Sequence, residues 1–137
     1  MKKNKKILIT GGCGFIGHHF VEHIINKTSY EVIIIDKLSY ASAGLERLRC
    51  AGHYYNPRVK VFPVDFTLPF PAGLRKEIGE DINIIVHMGA ESHVDNSIRD
   101  PRTFFHNNIH GTIEMLEYAR TLKELELFFY FSTDEVF

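Results

Sequence analysis

The chain has 137 residues, 45% of them hydrophobic, and a formal net charge of −1, which is enough for one core and too little for two ordinary domains. So balanced a charge leaves no field of one sign to recruit nucleic acid or an acidic membrane surface, and Lys2, Lys3, Lys5 and Lys6 precede an apolar run far too short for a signal peptide or a membrane span. Two cysteines, Cys13 and Cys50, stand too far apart for a metal knuckle and read as reduced thiols of a cytoplasmic protein.

Short β-type runs alternate with helical patterns along the whole chain, which predicts a Rossmann-type α/β fold with a doubly wound parallel sheet. The expected strands are residues 7–10, 31–36, 59–64, 82–87 and 125–132; most are solidly apolar, as strands covered on both faces should be. Residues 15–27 carry Ile16, Phe20 and Ile24 on one helical face. His19 and His23 lie one turn apart in that helix, but no third ligand is evidently arranged beside them, so no metal is expected. Pro101 suits the start of a later helix with Phe104, Ile109, Ile113, Leu116 and Ala119 at helical intervals, and Arg120 and Lys123 suit its negative end.

The first strand runs into Thr10-Gly11-Gly12-Cys13-Gly14-Phe15-Ile16-Gly17. In such a turn Gly11 permits the tight reversal, Gly14 removes a Cβ where backbone must approach a pyrophosphate, and Gly17 lets the helix pack close to the strand. The amides and positive dipole end of that helix then suit a diphosphate. Asp36 ends the second strand, where a carboxylate accepts from both adenosine ribose hydroxyls and repels a 2′-phosphate, so NAD is expected over NADP. The alternative is that Asp36 only opens a turn.

Asp65 ends the third strand at the ligand-binding edge and is placed to meet an adenine amino group, although an Asp in such a turn is common without a ligand. After the fourth strand, His87-Met88-Gly89-Ala90-Glu91-Ser92-His93-Val94-Asp95 turns abruptly polar, and Ser92 is the position expected to touch substrate. The chain closes on Ser132-Thr133-Asp134-Glu135-Val136-Phe137. Two adjacent carboxylates in a strand would point to opposite faces, so Asp134 and Glu135 act together only past its end; on spacing alone Ser132 with Glu135 also matches a helix capping box.

Four runs in order, Asp36-Lys37-Leu38-Ser39-Tyr40-Ala41, Ala90-Glu91-Ser92-His93-Val94-Asp95-Asn96-Ser97-Ile98, Asn108-Ile109-His110-Gly111-Thr112 and Ser132-Thr133-Asp134-Glu135-Val136, resemble the dTDP-glucose 4,6-dehydratases of the extended short-chain dehydrogenase family. The resemblance implies NAD taking a hydride from carbon four of a nucleotide-linked hexose and returning it to carbon six, with water lost between. It also implies Asp134 as general acid, Glu135 as general base and Thr133 as the hydrogen-bonding partner of the oxygen at carbon four. Phe15, Ile16, Asp36, Lys37, Ser39, Asp65, Phe66, Met88, Gly89, Ala90 and Ser92 are implied to line the cofactor or substrate cleft. Full-length relatives imply a homodimer.

Four positions depart from the family pattern: Gly89 stands where alanine is common, Phe66 where isoleucine is common, Asn107 where a cofactor-contacting threonine is usual, and Phe137 where tyrosine is usual. The family's Tyr-x-x-x-Lys relay does not occur in the chain, since Tyr118 has Leu122 four residues on and Lys123 follows one residue late. The expectation is therefore that residues 1–137 are an incomplete NAD-binding domain, inactive alone, with the last strands and the sugar-nucleotide domain lying beyond it. Two rival readings stand beside the dehydratase: an epimerase or decarboxylase of another nucleotide sugar, and a non-catalytic NAD-binding module. The Asp134-Glu135 pair separates the first from the dehydratase, because an epimerase loses no water.

Overall fold

A computed structural model describes residues 4–133. Five parallel strands, β1 (Lys6–Thr10), β2 (Glu31–Asp36), β3 (Val59–Pro63), β4 (Ile84–His87) and β5 (Leu127–Tyr130), form one sheet in the order β3-β2-β1-β4-β5. The expected strands are all present, with β2 as bounded and the others trimmed or extended at their ends. Side-chain alternation along the strands splits the interior into two layers. Leu8, Ile33, Ile35 and Ile85 pack with Phe66, Met115 and Tyr118 on one face, whereas Ile7, Ile9, Val32 and Ile34 pack with Val21, Ile24 and Leu48 on the other.

Helix α1 spans Phe15–Lys27, as the periodicity predicts, but its buried stripe is Gly17, Val21, Ile24 and Ile25. Ile16 is 65% exposed, so the expected stripe is rotated toward glycine. The cause is the contact at Gly17, where a Cβ would lie 2.0 Å from the Gly11 carbonyl oxygen and so only hydrogen fits against the turn. Arg58 reaches from the start of β3 and donates to the carbonyls of Ile25 and Thr28 at 2.7 Å, satisfying acceptors that the end of α1 leaves open.

Three short helices, α2 (Glu46–Cys50), α3 (Ala72–Ile78) and α4 (Val94–Arg99), connect the strands. The long helix after β4 starts at Pro101, with Asp100 accepting from the Thr103 amide. It is α5 (Pro101–Phe105) and α6 (Gly111–Thr121) joined by a π-helical turn, His106–His110. That wider turn shifts the phase of the helix. Ile109, Ile113 and Leu116, expected on the core face, point outward, Met115 and Tyr118 are buried in their place, and Ala119 is buried as expected. Leu127, Phe129 and Tyr130 of the edge strand β5 are also exposed. No helix of the described residues is long and apolar enough to cross a membrane.

Candidate functional site

The strand order reverses between β1 and β4, and the loops leaving their carboxyl ends diverge there into a crevice, the place where doubly wound sheets hold ligands. Thr10 and His87, paired in register at the two strand ends, are joined by a hydrogen bond of 2.6 Å between Oγ1 and Nδ1. The Thr10 oxygen also accepts from the amides of Met88 and Gly89 at 3.1 and 3.0 Å, so its own hydrogen goes to His87. The other ring nitrogen, Nε2, therefore carries the proton and donates to Thr112, whose hydroxyl donates to the Asn108 carbonyl. This arrangement needs a neutral imidazole, and burial holds the His87 pKa down to about 4.

The glycine turn approaches the β4 loop so closely that a Cβ on Gly11, which sits at φ +71°, would lie 2.8 Å from the Gly89 Cα. Beyond it the first turn of α1 brings Phe15, Ile16 and Gly17 to the crevice, where a helix has no intrahelical acceptors for its amides. Asp36 is buried at the end of β2. Its carboxylate accepts from the Cys13 amide at 2.9 Å and the Leu38 amide at 2.8 Å, one on each oxygen, leaving each oxygen a lone pair for a ligand hydroxyl. Burial, and then the Asp36 charge, push the Cys13 thiol up to about 12, which makes it an inert core residue.

Leu38 and Ala43 adopt positive φ, +55° and +52°, at a cost of about 1–2 kcal/mol each. They bracket a segment, residues 39–42, that contributes Ser39, Ala41 and Ser42 to the crevice, so strain is stored where the chain must curl toward a ligand.

The resulting cleft, about 360 Å³, is lined by Gly11, Gly14, Phe15, Ile16 and Gly17 from the first loop and by Asp36, Lys37 and Ser39 from the second. Phe66, Met88, Gly89, Ala90, Ser92 and Thr133 complete the expected set around it. Asp65 is outside this lining: it is exposed, and its carboxylate accepts from the Thr67 amide at 2.9 Å, the local turn contact weighed from sequence. Asp134 and Glu135 lie outside the described residues. Glu91, which sequence reasoning did not single out, and Asn107, which it noted only as a departure from the family's threonine, are both buried in the cleft wall. A lone acid among small residues at the end of β4 was the available sign for Glu91; Asn107 is carried inward by the π-helical turn, which no local pattern announces. Among the described residues no group of three His, Cys, Asp or Glu is placed to hold a metal ion.

The profile of the family described as GDP-mannose 4,6 dehydratase matches residues 8–137. The chain belongs to this dehydratase family. It is 40% identical to dTDP-glucose 4,6-dehydratase 1 of Escherichia coli K12, over 96% of this chain and 38% of that protein. A trifunctional UDP-glucose 4,6-dehydratase of Arabidopsis thaliana is 37% identical over 97% of this chain and 19% of its own length. Among solved structures, the dTDP-glucose 4,6-dehydratase DesIV of Streptomyces venezuelae, crystallised with NAD bound, superposes with a TM-score of 0.69 at 37% identity, over 83% of this chain and 35% of that one. The chain thus spans less than two fifths of these relatives.

Proposed function

We propose that residues 1–137 form the NAD-binding part of a nucleotide-sugar 4,6-dehydratase acting on a dTDP-glucose-like hexose, the remaining strands, the relay Tyr and Lys and the sugar-nucleotide domain lying outside them. The observation that carries this reading is the convergence, in a member of this dehydratase family, of the glycine turn, buried Asp36, Ser92 and Thr133 on one cleft at the switch point. The cleft fits a dinucleotide on its own terms. Its volume is within the usual range for cofactor sites, and Gly14, where an added Cβ would meet only the Gly11 carbonyl oxygen, lets bare backbone line it where a diphosphate would lie. Asp36 keeps acceptor capacity for ribose hydroxyls. Asp65, outside the lining but directly before Phe66, which is in it, would accept from the adenine amino group.

When bound, NAD supplies reversible hydride transfer at carbon four and carbon six of the sugar. The chain's own residues then divide the remaining work. Ser92 and Thr133 bind and orient the hexose, Thr133 at the oxygen on carbon four. Once carbon four is a ketone the proton on carbon five is acidic; Glu135 removes it while Asp134 protonates the departing hydroxyl of carbon six. Two adjacent carboxyls share this task only if one stays protonated, which mutual repulsion and unequal burial produce. The free state of Cys13 and Cys50 supports a cytoplasmic site of action. The outward stripe of Phe105, Ile109, Ile113 and Leu116 supports a homodimer of the full-length protein.

The test uses the complete reading frame with NAD and dTDP-glucose. The sugar should lose one water, seen by mass spectrometry, and Glu135→Gln should retain the first hydride transfer while losing solvent-deuterium exchange at carbon five. Asp134→Asn should permit oxidation and slow water loss. Turnover within about threefold of wild type in both variants, against the 10²-fold or more typical of a general acid or base, would sink the dehydratase assignment and leave Ser132 and Glu135 as a helix cap. Epimerised sugar without water loss would favour the epimerase reading.

A further inference from the structure

The buried acid of the cleft that this chemistry leaves unused is Glu91. Its side chain is 7% exposed, and its carboxylate is held from three sides: Oε1 lies 3.5 Å from the Lys37 ammonium and accepts from the Asn107 amide at 3.4 Å, and Oε2 accepts from the Tyr40 hydroxyl at 3.1 Å. The backbone is fixed as well. The Glu91 amide donates to Asn108 Oδ1 at 2.8 Å, and Asn108 Nδ2 donates back to the Glu91 carbonyl at 2.9 Å. The position of this negative charge is therefore set by β4 and the π-helical turn, while its effect falls on Lys37, the residue directly after Asp36. All three side chains line the same cleft.

A cation there alters what the adenosine end of the cleft can discriminate. Asp36 repels a phosphate on the ribose 2′-oxygen, but an unpaired ammonium one residue later attracts the same phosphate and offsets that repulsion. In the folded chain the ammonium is instead turned to an anion and its side chain is only 23% exposed. We propose that Glu91 is a specificity-determining residue: by holding Lys37 it keeps the cleft selective for a dinucleotide with a free 2′-hydroxyl against one with a 2′-phosphate. The proposal rests on the dinucleotide-binding reading above. Its physical content is that Glu91 leaves the adenosine end with one uncompensated negative charge, where Asp36 and Lys37 alone would cancel.

Calorimetric titration of the protein from the complete reading frame with NAD and with NADP tests it. Glu91→Gln should strengthen NADP binding about tenfold, the scale set by losing one nearby unit charge at partial exposure, and leave NAD within about threefold. Adding Lys37→Met to that variant should remove the gain. If Glu91 only props the loop, Glu91→Gln weakens both nucleotides alike and their ratio stays put, which overturns the proposal. Should Glu91→Gln fail to fold by circular dichroism, Lys37→Met alone decides: it leaves Glu91 unneutralised, so NADP must weaken relative to NAD, and an unchanged ratio again overturns the proposal. A wild-type chain that binds neither nucleotide defeats the dinucleotide reading and this inference together; one that binds NAD with a ratio indifferent to these variants defeats the inference alone.

Discussion

Two of the departures from the family pattern, Phe66 and Gly89, touch each other. The Phe66 ring is buried edge-on to His87, with centroids 5.4 Å apart at 88°, and its Cε1 and Cζ lie where a Cβ on Gly89 would come within 2.6 Å of both. The opposite edge of the ring is closed in by Gly111, whose added Cβ would lie 2.7 Å from Cε2. A ring seated between two glycines has no direction in which to yield. Gly89→Ala should therefore cost about 1–3 kcal/mol, the range for forcing an extra carbon into a packed core. Phe66→Ile removes ring atoms without filling their space and should cost about 1–2 kcal/mol, less than full truncation of an aromatic because most of the volume remains.

The double variant Phe66→Ile with Gly89→Ala restores the pairing common in the family, with the smaller side chain making room for the added methyl. Its destabilisation should fall short of the sum of the singles by about 1–2 kcal/mol, well above the few tenths seen for independent sites. Urea denaturation of the wild type, both singles and the double gives the coupling energy directly, provided the four transitions share one slope. Because both residues line the cleft, NAD affinity should follow the same cycle, dropping in Gly89→Ala and recovering in the double variant. Additivity within about 0.5 kcal/mol would show that the two departures arose separately and that the ring can move away from Gly89 after all.

Gly17→Ala should abolish the native turn rather than weaken it, since its Cβ would lie 2.0 Å from a backbone oxygen that cannot swing aside; a variant retaining native circular dichroism and NAD affinity would contradict this. His87 gives a pH signature. Its folded pKa is about 4, below the ordinary 6.5, so the unfolded chain binds a proton that the folded one refuses, and stability must fall as pH drops from about 6.5 toward about 4. Between pH 7 and pH 5 this group should remove about 2 kcal/mol, and His87→Gln should flatten that part of the profile; an unchanged slope in urea melts would rule out His87 as its source.

The sequence disclosed most where a residue's role is fixed by its immediate neighbours. The spacing of Gly11, Gly14 and Gly17 against the end of a strand carries its own geometry, and the strands of a sheet covered on both faces are legible as apolar runs. The faces of helices were less legible. Ile16, Ile109 and Ile113 are apolar at helical spacing yet exposed, because the choice of buried face is made by distant contacts: the Gly11 carbonyl against Gly17 in α1, and the extra residue of the π-helical turn before α6. Glu91 is the sharper case. Its partners are separated from it by 54 positions at Lys37 and 16 at Asn107, so a lone acid after Gly89 and Ala90 is visible locally but what it holds is not.

The same distant contacts make the cleft one mechanical unit rather than a set of loops. Thr10, which begins the glycine turn, donates to His87; His87 donates to Thr112; Thr112 donates to the Asn108 carbonyl, and the Asn108 side chain holds the Glu91 backbone on both sides. Each donor in that series has one acceptor, which fixes the imidazole tautomer and with it the direction of every hydrogen. The diphosphate end of the cleft and the carboxylate that restrains Lys37 are thereby set by one buried network, high in its demand for satisfied partners and intolerant of a missing one. A departure such as Phe66, edge-on to that imidazole, can then persist only with glycine opposite it, and this is why the departures at Phe66 and Gly89 occur as a touching pair.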